Sequence, residues 1–395
     1  MIYLDNNATT PIDPEVLDAM LPYLKEEYGN PSSRYYSLAI NANNAVEKAR
    51  EQVAALINAD PKEIIFTSGA SESNNFILKG VADYKKYYED GGNHIITSTV
   101  EHKSVLQTCK FLNGDVFWNT SDKSVASKFL KKKTMTKKID RGYEVTFLPV
   151  NSYAQVNTDE FRDSIKDNTI LASFIWGNNE VGSLNDIEKL CAMAKEKNIL
   201  FHSDATQVLG KINIDVKKTP VDFLSMSAHK IYGPKGIGAA YVRQKGLTPY
   251  KITSLIHGGL QESGYRAGTS AVHNIVGFGK ACEIAKRDMD EYIKDILVKE
   301  EETKKEFTQR YPGVEFLGDP EHHIPGVIGM LIPGIVNDMF IKDMANKEVC
   351  ALSSGSACGI GEPSYVIQEI GYGDRSFQFV RLSLNKFVNV KELLH

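Results

Sequence analysis

Five short apolar runs in the middle of the chain are each followed by polar residues that could do chemistry. After Ile64–Phe66 comes Thr67-Ser68-Gly69-Ala70-Ser71-Glu72, and after Ile95–Ser98 comes Glu101-His102-Lys103. Ile170–Trp176 leads into Gly177-Asn178-Asn179-Glu180, and Leu200–His202 into Asp204-Ala205-Thr206-Gln207. Phe223–Met226 leads into Ser227-Ala228-His229-Lys230, with Gly233-Pro234-Lys235-Gly236 close behind. A small-residue loop that opens a helix offers N–H groups to a phosphate. A histidine can carry a proton, and a lysine kept out of water becomes a nucleophilic amine. Each feature alone has an ordinary explanation: a Ser-Gly loop is a turn, a strand-end aspartate caps a helix, and a histidine after a strand is a satisfied structural residue. In succession they match what pyridoxal 5'-phosphate requires, a lysine for covalent attachment and an aspartate to keep the ring nitrogen protonated.

The elements that must position these groups alternate. Candidate strands are Glu63–Phe66, His94–Ser98, Val145–Val150, Ile170–Trp176, Ile199–His202 and Phe223–Met226, with helical patterns such as Asp186–Glu196 between them. That rhythm predicts a parallel sheet with crossover helices. Ligands bind outside the carboxyl ends of such strands, so all five polar groups belong to one sheet edge. Asp13-Pro14 ahead of Glu15–Leu24 reads as an N-cap followed by proline at the first helical position. After Gly258-Gly259 the texture changes to a Gly-rich loop, a long charged helix at about Val276–Arg310, and a mixed segment. The expected organisation is a large α/β unit over 14–257, with a mainly parallel sheet and flanking helices. A smaller α+β unit would combine 1–13 with 258–395.

Composition narrows the function classes. The 395 residues are 42% hydrophobic and 24% charged, enough to bury a large core without disulfides or metal. A formal net charge of -4 predicts no polyelectrolyte behaviour. The opening Met1–Thr10 has no basic segment followed by an apolar run, so no signal peptide is expected. No stretch approaches the roughly 18 apolar residues of a membrane span. The five cysteines are scattered and never form C-x-x-C, which argues against a disulfide framework or a zinc site and for a reducing cytoplasm. Lys128–Arg141, with seven basic residues and one acid, reads as a solvated surface loop or as a contact for an acidic partner. Its single aromatic, Phe129, offers little for base stacking, so direct nucleic-acid binding is not expected.

Asp5-Asn6-Asn7-Ala8-Thr9-Thr10, Gly29–Ser33, FTSGASESNN, TVEHKSVL, NNEVG, HSDATQ, SMSAHKIYGPKGIG, HGGLQESGYRAGT and SSGSAC occur in order along nearly the whole chain. This set resembles the group I cysteine desulfurases, the nitrogen-fixation and iron–sulfur-assembly type, within the fold type I, class V aminotransferase superfamily. The resemblance implies pyridoxal phosphate bound covalently at Lys230, with Asp204 on the ring nitrogen, Gln207 on the ring hydroxyl and His102 stacked on the ring, handling protons. It assigns the phosphate to Ala70, Ser71, Ser227 and His229, together with Thr269 donated by the other subunit of a homodimer. Asn179 would lie near the ring oxygen and the substrate, and Arg381 would hold the carboxylate of L-cysteine, as a guanidinium fork suits. Cys358, in the small-residue run Ser353–Gly361, would take the substrate sulfur as a persulfide and pass it to an acceptor protein, leaving alanine. No metal is expected.

Departures from the family pattern bear on the acceptor. Only three residues separate Cys358 from Glu362, a shorter loop than the family shows. Tyr36 and Ala39 stand where the family has His and Gly, the basic stretch looks inserted, and the chain stops at Leu393-Leu394-His395 where relatives continue. A different acceptor, or a truncated chain, is therefore expected. Selenocysteine lyase shares the fold and cofactor and stays open as an alternative. An aminotransferase needs no cysteine in a Gly/Ser loop. A non-catalytic adaptor would be expected to lack Lys230, Asp204 or Cys358.

Overall fold

A computed structural model of the chain describes residues 2–115, 138–244, 246, 251–346, 350–354 and 363–390. The first strand, β1 (Ile2–Tyr3), precedes helices α1 (Pro14–Lys25) and α2 (Ser37–Leu56). The alternating region then runs β2 (Ile64–Thr67), α3 (Ala70–Tyr88), β3 (His94–Ser98), α4 (Lys103–Leu112), β4 (Glu144–Leu148), α5 (Thr158–Ser164), β5 (Thr169–Ile175), α6 (Ile187–Glu196), β6 (Leu200–Asp204), β7 (Phe223–Ser227) and β8 (Gly238–Val242). Seven of these strands form one sheet in the order β2-β8-β7-β6-β5-β3-β4. Pairings from β7 through β4 are parallel, while β8 runs antiparallel to both its neighbours.

The sheet is buried on both faces, and side chains alternate between them as the strand period requires. Ile64, Phe66, Ile96, Phe174, Phe201 and Met226 face the core built with α2, α5, α6 and the start of α7 (Val272–Arg310). Ile65, Ile95, Leu171, Leu200, Phe223 and Ala240 face the opposite core under α3 and α4. Asp13 caps α1 by accepting from Glu15 N at 2.9 Å, with Pro14 as the first helical residue.

Beyond α7 lie β9 (Glu315–Leu317), β10 (Val327–Leu331), α8 (Asn337–Asn346), β11 (Cys350–Ala351) and β12 (Phe379–Ser383). Strands β12-β10-β9 form an antiparallel sheet, and β1 pairs in parallel with β11. Ile296 and Phe307 of α7 pack with Ile328, Val380 and Leu382 in a separate core. The helix expected to belong wholly to the second unit thus contributes to two cores, residues 272–284 to the first and 296–307 to the other.

Three expectations need correcting. The strand expected over Val145–Val150 ends at Leu148, because the Asn151 side chain accepts from Tyr153 N and Gln155 N and turns the chain. The long helix starts at Val272, four residues before the expected Val276. Strand β8, Gly-Ala-Ala-Tyr-Val, was not foreseen because small residues carry little β signal. Glycine is required in it, since a Cβ on Gly238 would lie 2.4 Å from the Met226 carbonyl oxygen and 2.7 Å from Gly69 Cα.

Candidate active site

The carboxyl ends of β2, β3, β5, β6 and β7 converge on a cavity of about 520 Å³. From β2 the chain turns through Gly69, at φ 151°, into α3, so that Ala70 and Ser71 line the cavity in a first helical turn whose N–H groups have no intrahelical acceptor. His102, between β3 and α4, is the N-cap of α4 and also lines the cavity. Asn179 follows β5, Asp204 ends β6, and Gln207 lies one turn beyond. Ser227 ends β7, and His229 and Lys230 follow it. Arg381, from the middle of β12 in the other sheet, completes the wall. Thr269 is exposed and is not among the residues lining this cavity.

Asp204 is only 3% exposed. Its Oδ2 accepts from Asn74 Nδ2 at 2.8 Å and its Oδ1 from Thr206 N at 3.0 Å, which leaves acceptor capacity on both oxygens. Lys230 Nζ donates to the carbonyls of Asn7 and Ala8, the latter at 2.9 Å. His102 Nδ1 accepts from Ser104 N at 3.1 Å, so the ring proton sits on Nε2, and burial draws the imidazole below its ordinary range. His229 is brought down to about 4, first by burial and then by Lys230 and Lys235, with its Nδ1 3.1 Å from Thr9 Oγ1.

The arm from β12 is tied in place. Arg381 is 2% exposed, and it donates from Nη1 to the Asn179 carbonyl at 2.9 Å and from Nη2 to Asp5 Oδ1 at 2.6 Å. The residue expected to meet the substrate carboxylate therefore already commits one edge of its guanidinium to Asp5. Arg381 also exchanges both backbone hydrogen bonds with Ser353, at 2.7 and 3.2 Å. On the far side of residues 355–362, Ser364 Oγ donates to Glu180 Oε2 and Tyr365 Oη to the Glu101 carbonyl at 2.6 Å. Cys358 itself lies outside the described residues, as does most of the basic stretch. Of that stretch, Arg141 stacks 3.8 Å from the centre of the Phe111 ring.

Several site residues were not assigned from sequence. Asn7 shares its carbonyl between Lys230 and Gln207 and its side chain between Asn179 and Lys211. Asn74 and Ser104 link Asp204 to His102. Glu101 is fully buried, with Ser98 Oγ donating to it at 2.6 Å, and burial above all pushes its carboxyl up to about 8. Asn7 and Asn74 both lie within family motifs, but nothing in one dimension says which amide faces the cavity.

These residues fit pyridoxal phosphate. Asn179 Oδ1, Thr206 Oγ1 and Arg381 Nε are buried without a hydrogen-bond partner among the described residues, all on cavity-lining side chains. A helix start for a phosphate, an acceptor carboxylate for a ring N–H and an amine beside both form one donor and acceptor set. Among the described residues no cluster of His, Cys, Asp or Glu could hold a metal ion. No described helix is long and apolar enough to cross a membrane.

The family model described as aminotransferase class-V matches residues 2–140 and 120–394. The mitosomal cysteine desulfurase of Encephalitozoon cuniculi (strain GB-M1) is 42% identical over 398 residues, covering 99% of this chain and 84% of that protein. The cysteine desulfurase of Homo sapiens is 40% identical over 395 residues, 99% of this chain and 79% of that one. Among solved structures, a NifS-like protein aligns with TM-score 0.84 at 34% identity over 99% of this chain and 96% of that one. SspA in complex with cysteine aligns with TM-score 0.79 at 33% identity over 97% and 99%.

Proposed function

The chain belongs to the class-V aminotransferase family as a pyridoxal-phosphate-dependent cysteine desulfurase, and from that premise we propose that sulfur leaves L-cysteine through Cys358 at the cavity described above. The observation that carries this reading is the convergence of Lys230, Asp204, His102 and Arg381 on one cavity whose wall includes the start of α3. Ala70, Ser71, Ser227 and His229 would hold the phosphate, Asp204 the ring nitrogen, and Gln207 and Asn179 the ring oxygen. Lys230 would hold the cofactor covalently. When bound, pyridoxal phosphate supplies an electron sink for negative charge at the amino acid's Cα.

Arg381 binds the carboxylate of L-cysteine through Nε, which has no partner among the described residues, and an Nη hydrogen not used by Asp5 or Asn179. Lys230, freed by the incoming amino group, takes the Cα proton. His102, neutral and with its proton on Nε2, relays protons at the cavity wall. Cys358 as thiolate attacks the substrate sulfur: the S–S bond forms as the S–Cβ bond breaks, and a proton delivered to Cβ, with return of the Cα proton from Lys230, completes alanine. The two ends of the Cys358 segment support that reach, since Ser353 is paired to the backbone of Arg381 and Ser364 to Glu180.

The active form is a homodimer in which Thr269 reaches the phosphate of the neighbouring subunit. An exposed Thr269, on a segment held to the α3 start by Arg266–Glu72 at 2.9 Å, supports that arrangement. Cys109, Cys191 and Cys282 are free and buried, which suits a reducing compartment such as the cytoplasm. The persulfide passes to an acceptor protein, with iron–sulfur cluster assembly the pathway the family resemblance favours. The test is alanine and sulfide release from L-cysteine with a small-thiol reductant. Wild type should turn over and Cys358→Ser should retain a coloured cofactor without releasing sulfide. A Cys358→Ser enzyme with full sulfide release would remove Cys358 from the reaction.

A further inference from the structure

Lys211 stands four residues beyond Gln207 in the turn after β6 and is 3% exposed. Its Nζ lies 3.1 Å from Asn7 Oδ1 and 3.2 Å from Gln207 Oε1, and neither partner is a carboxylate. An ammonium can only donate, so both side-chain amides must turn their oxygens toward it. Their NH₂ groups are then committed the other way. Gln207 Nε2 donates to the Asn7 carbonyl at 3.0 Å, and Asn7 Nδ2 donates to the Asn179 carbonyl at 3.1 Å. That same Asn179 carbonyl receives Arg381, and that same Asn7 carbonyl receives Lys230.

We propose that Lys211 is a positioning residue of this site, fixing the orientation of the Gln207 and Asn7 amides so that a ligand oxygen at Gln207 meets a donor. The proposal rests on the reading of the cavity as the pyridoxal-phosphate site. Without a donor behind it, the Gln207 amide would be held in this orientation by the Asn7 carbonyl alone. A lone buried ammonium is costly to keep, and burial above all, followed by Lys230 and Arg381, draws Lys211 down to about 7. Lys211 and Lys230 also line a second cavity of about 270 Å³, together with Asp13, Asp288, Glu291, Asp295 and Lys386. Even as a neutral amine, Nζ keeps two N–H donors, one for each amide oxygen.

The test is equilibrium binding of pyridoxal phosphate to cofactor-free protein, read by absorbance, for wild type, Lys211→Met, Gln207→Leu and the double variant. Lys211→Met should bind the cofactor roughly tenfold more weakly, the scale of one lost buried hydrogen bond. Adding Gln207→Leu to it should cost little more, because the two residues act as one unit. Lys211→Arg, which keeps the donors, should recover most of the affinity. A folded Lys211→Met protein with wild-type affinity, or losses that multiply in the double variant, would overturn the proposal. If Lys211→Met does not fold, Lys211→Gln decides the matter. An amide there presents an acceptor as well as donors and so no longer fixes which way its partners turn; weaker binding supports the proposal and wild-type binding overturns it. Wild type failing to bind pyridoxal phosphate would instead overturn the cofactor reading itself, and this inference with it.

Discussion

Asn74 Nδ2 lies 2.8 Å from Asp204 Oδ2 and 2.8 Å from Ser104 Oγ, which in turn is 2.7 Å from His102 Nδ1. One hydrogen-bonded chain therefore joins the carboxylate at the end of β6 to the histidine ahead of α4. Removing the Asn74 amide leaves a 3%-exposed carboxylate with one bond fewer, a loss of about 1–3 kcal/mol. Asn74→Ala should weaken cofactor binding about tenfold or more and lower kcat, with little change in overall fold by circular dichroism. Asn74→Asp should be worse, since it sets a second carboxylate against Asp204. Unchanged cofactor affinity in Asn74→Asp would show that Asp204 does not depend on this neighbour.

Glu101 carries a pH signature. Its carboxyl, ordinarily 4.5, is pushed up to about 8 by burial first, against which the Ser98 hydrogen bond works. The folded chain therefore keeps a proton that the unfolded chain gives up as pH rises through 4.5. The stability contributed by this group is full below that point, falls as pH rises toward about 8, and changes no further above it. Glu101→Gln has no such proton to lose. Denaturant midpoints should fall between about pH 5 and about pH 8 in wild type by more than in Glu101→Gln. Equal slopes in the two proteins would place this proton elsewhere.

Arg381 is the substrate's anchor in this account, and its pairing with Asp5 sets how it fails. Arg381→Lys keeps a charge near Asp5 but loses the planar fork, so KM for L-cysteine should rise at least tenfold with a smaller change in kcat. Asp5→Asn should also raise KM, because the acceptor at 2.6 Å that orients the guanidinium loses its negative charge. A fall in kcat at constant KM in both variants would move Arg381 from substrate binding to another step.

The three described cysteines should separate stability from activity. Cys109, Cys191 and Cys282 are buried, and burial raises all three thiols, Cys191 to about 12. Serine at any of them puts a hydroxyl into an apolar setting, so each variant should lose about 1–3 kcal/mol of stability. Turnover at a temperature where they stay folded should be near wild type. Loss of turnover in Cys109→Ser with an unchanged melting curve would point to the wrong thiol.

The strand ends were legible because period, punctuation and polar residue type coincide at β2, β3, β5, β6 and β7. The cavity follows once those strands are parallel, since parallel strands deliver their carboxyl ends to one edge. What the residues alone did not reveal is how distant segments meet. Asn7, some two hundred residues before Gln207 and Lys230, shares one carbonyl between them, and no local pattern encodes that meeting. A lysine after a polar turn is ordinarily solvated, and only the packing around Lys211 shows that it is buried. Strand β8 escaped for the opposite reason, its glycine and alanines being selected by close approach rather than by strand propensity.

The central claim is that the substrate's sulfur is carried by Cys358, and it can be read directly on the protein. Wild type would be mixed with sulfur-labelled L-cysteine without reductant, the thiols and persulfides blocked, and each cysteine-containing peptide analysed by mass spectrometry. The account predicts labelled persulfide on the Cys358 peptide, none on the peptides of Cys109, Cys191 or Cys282, and alanine formed in equal amount. Labelled persulfide on another cysteine, or alanine formed in a Cys358→Ser protein at the wild-type rate, would contradict it.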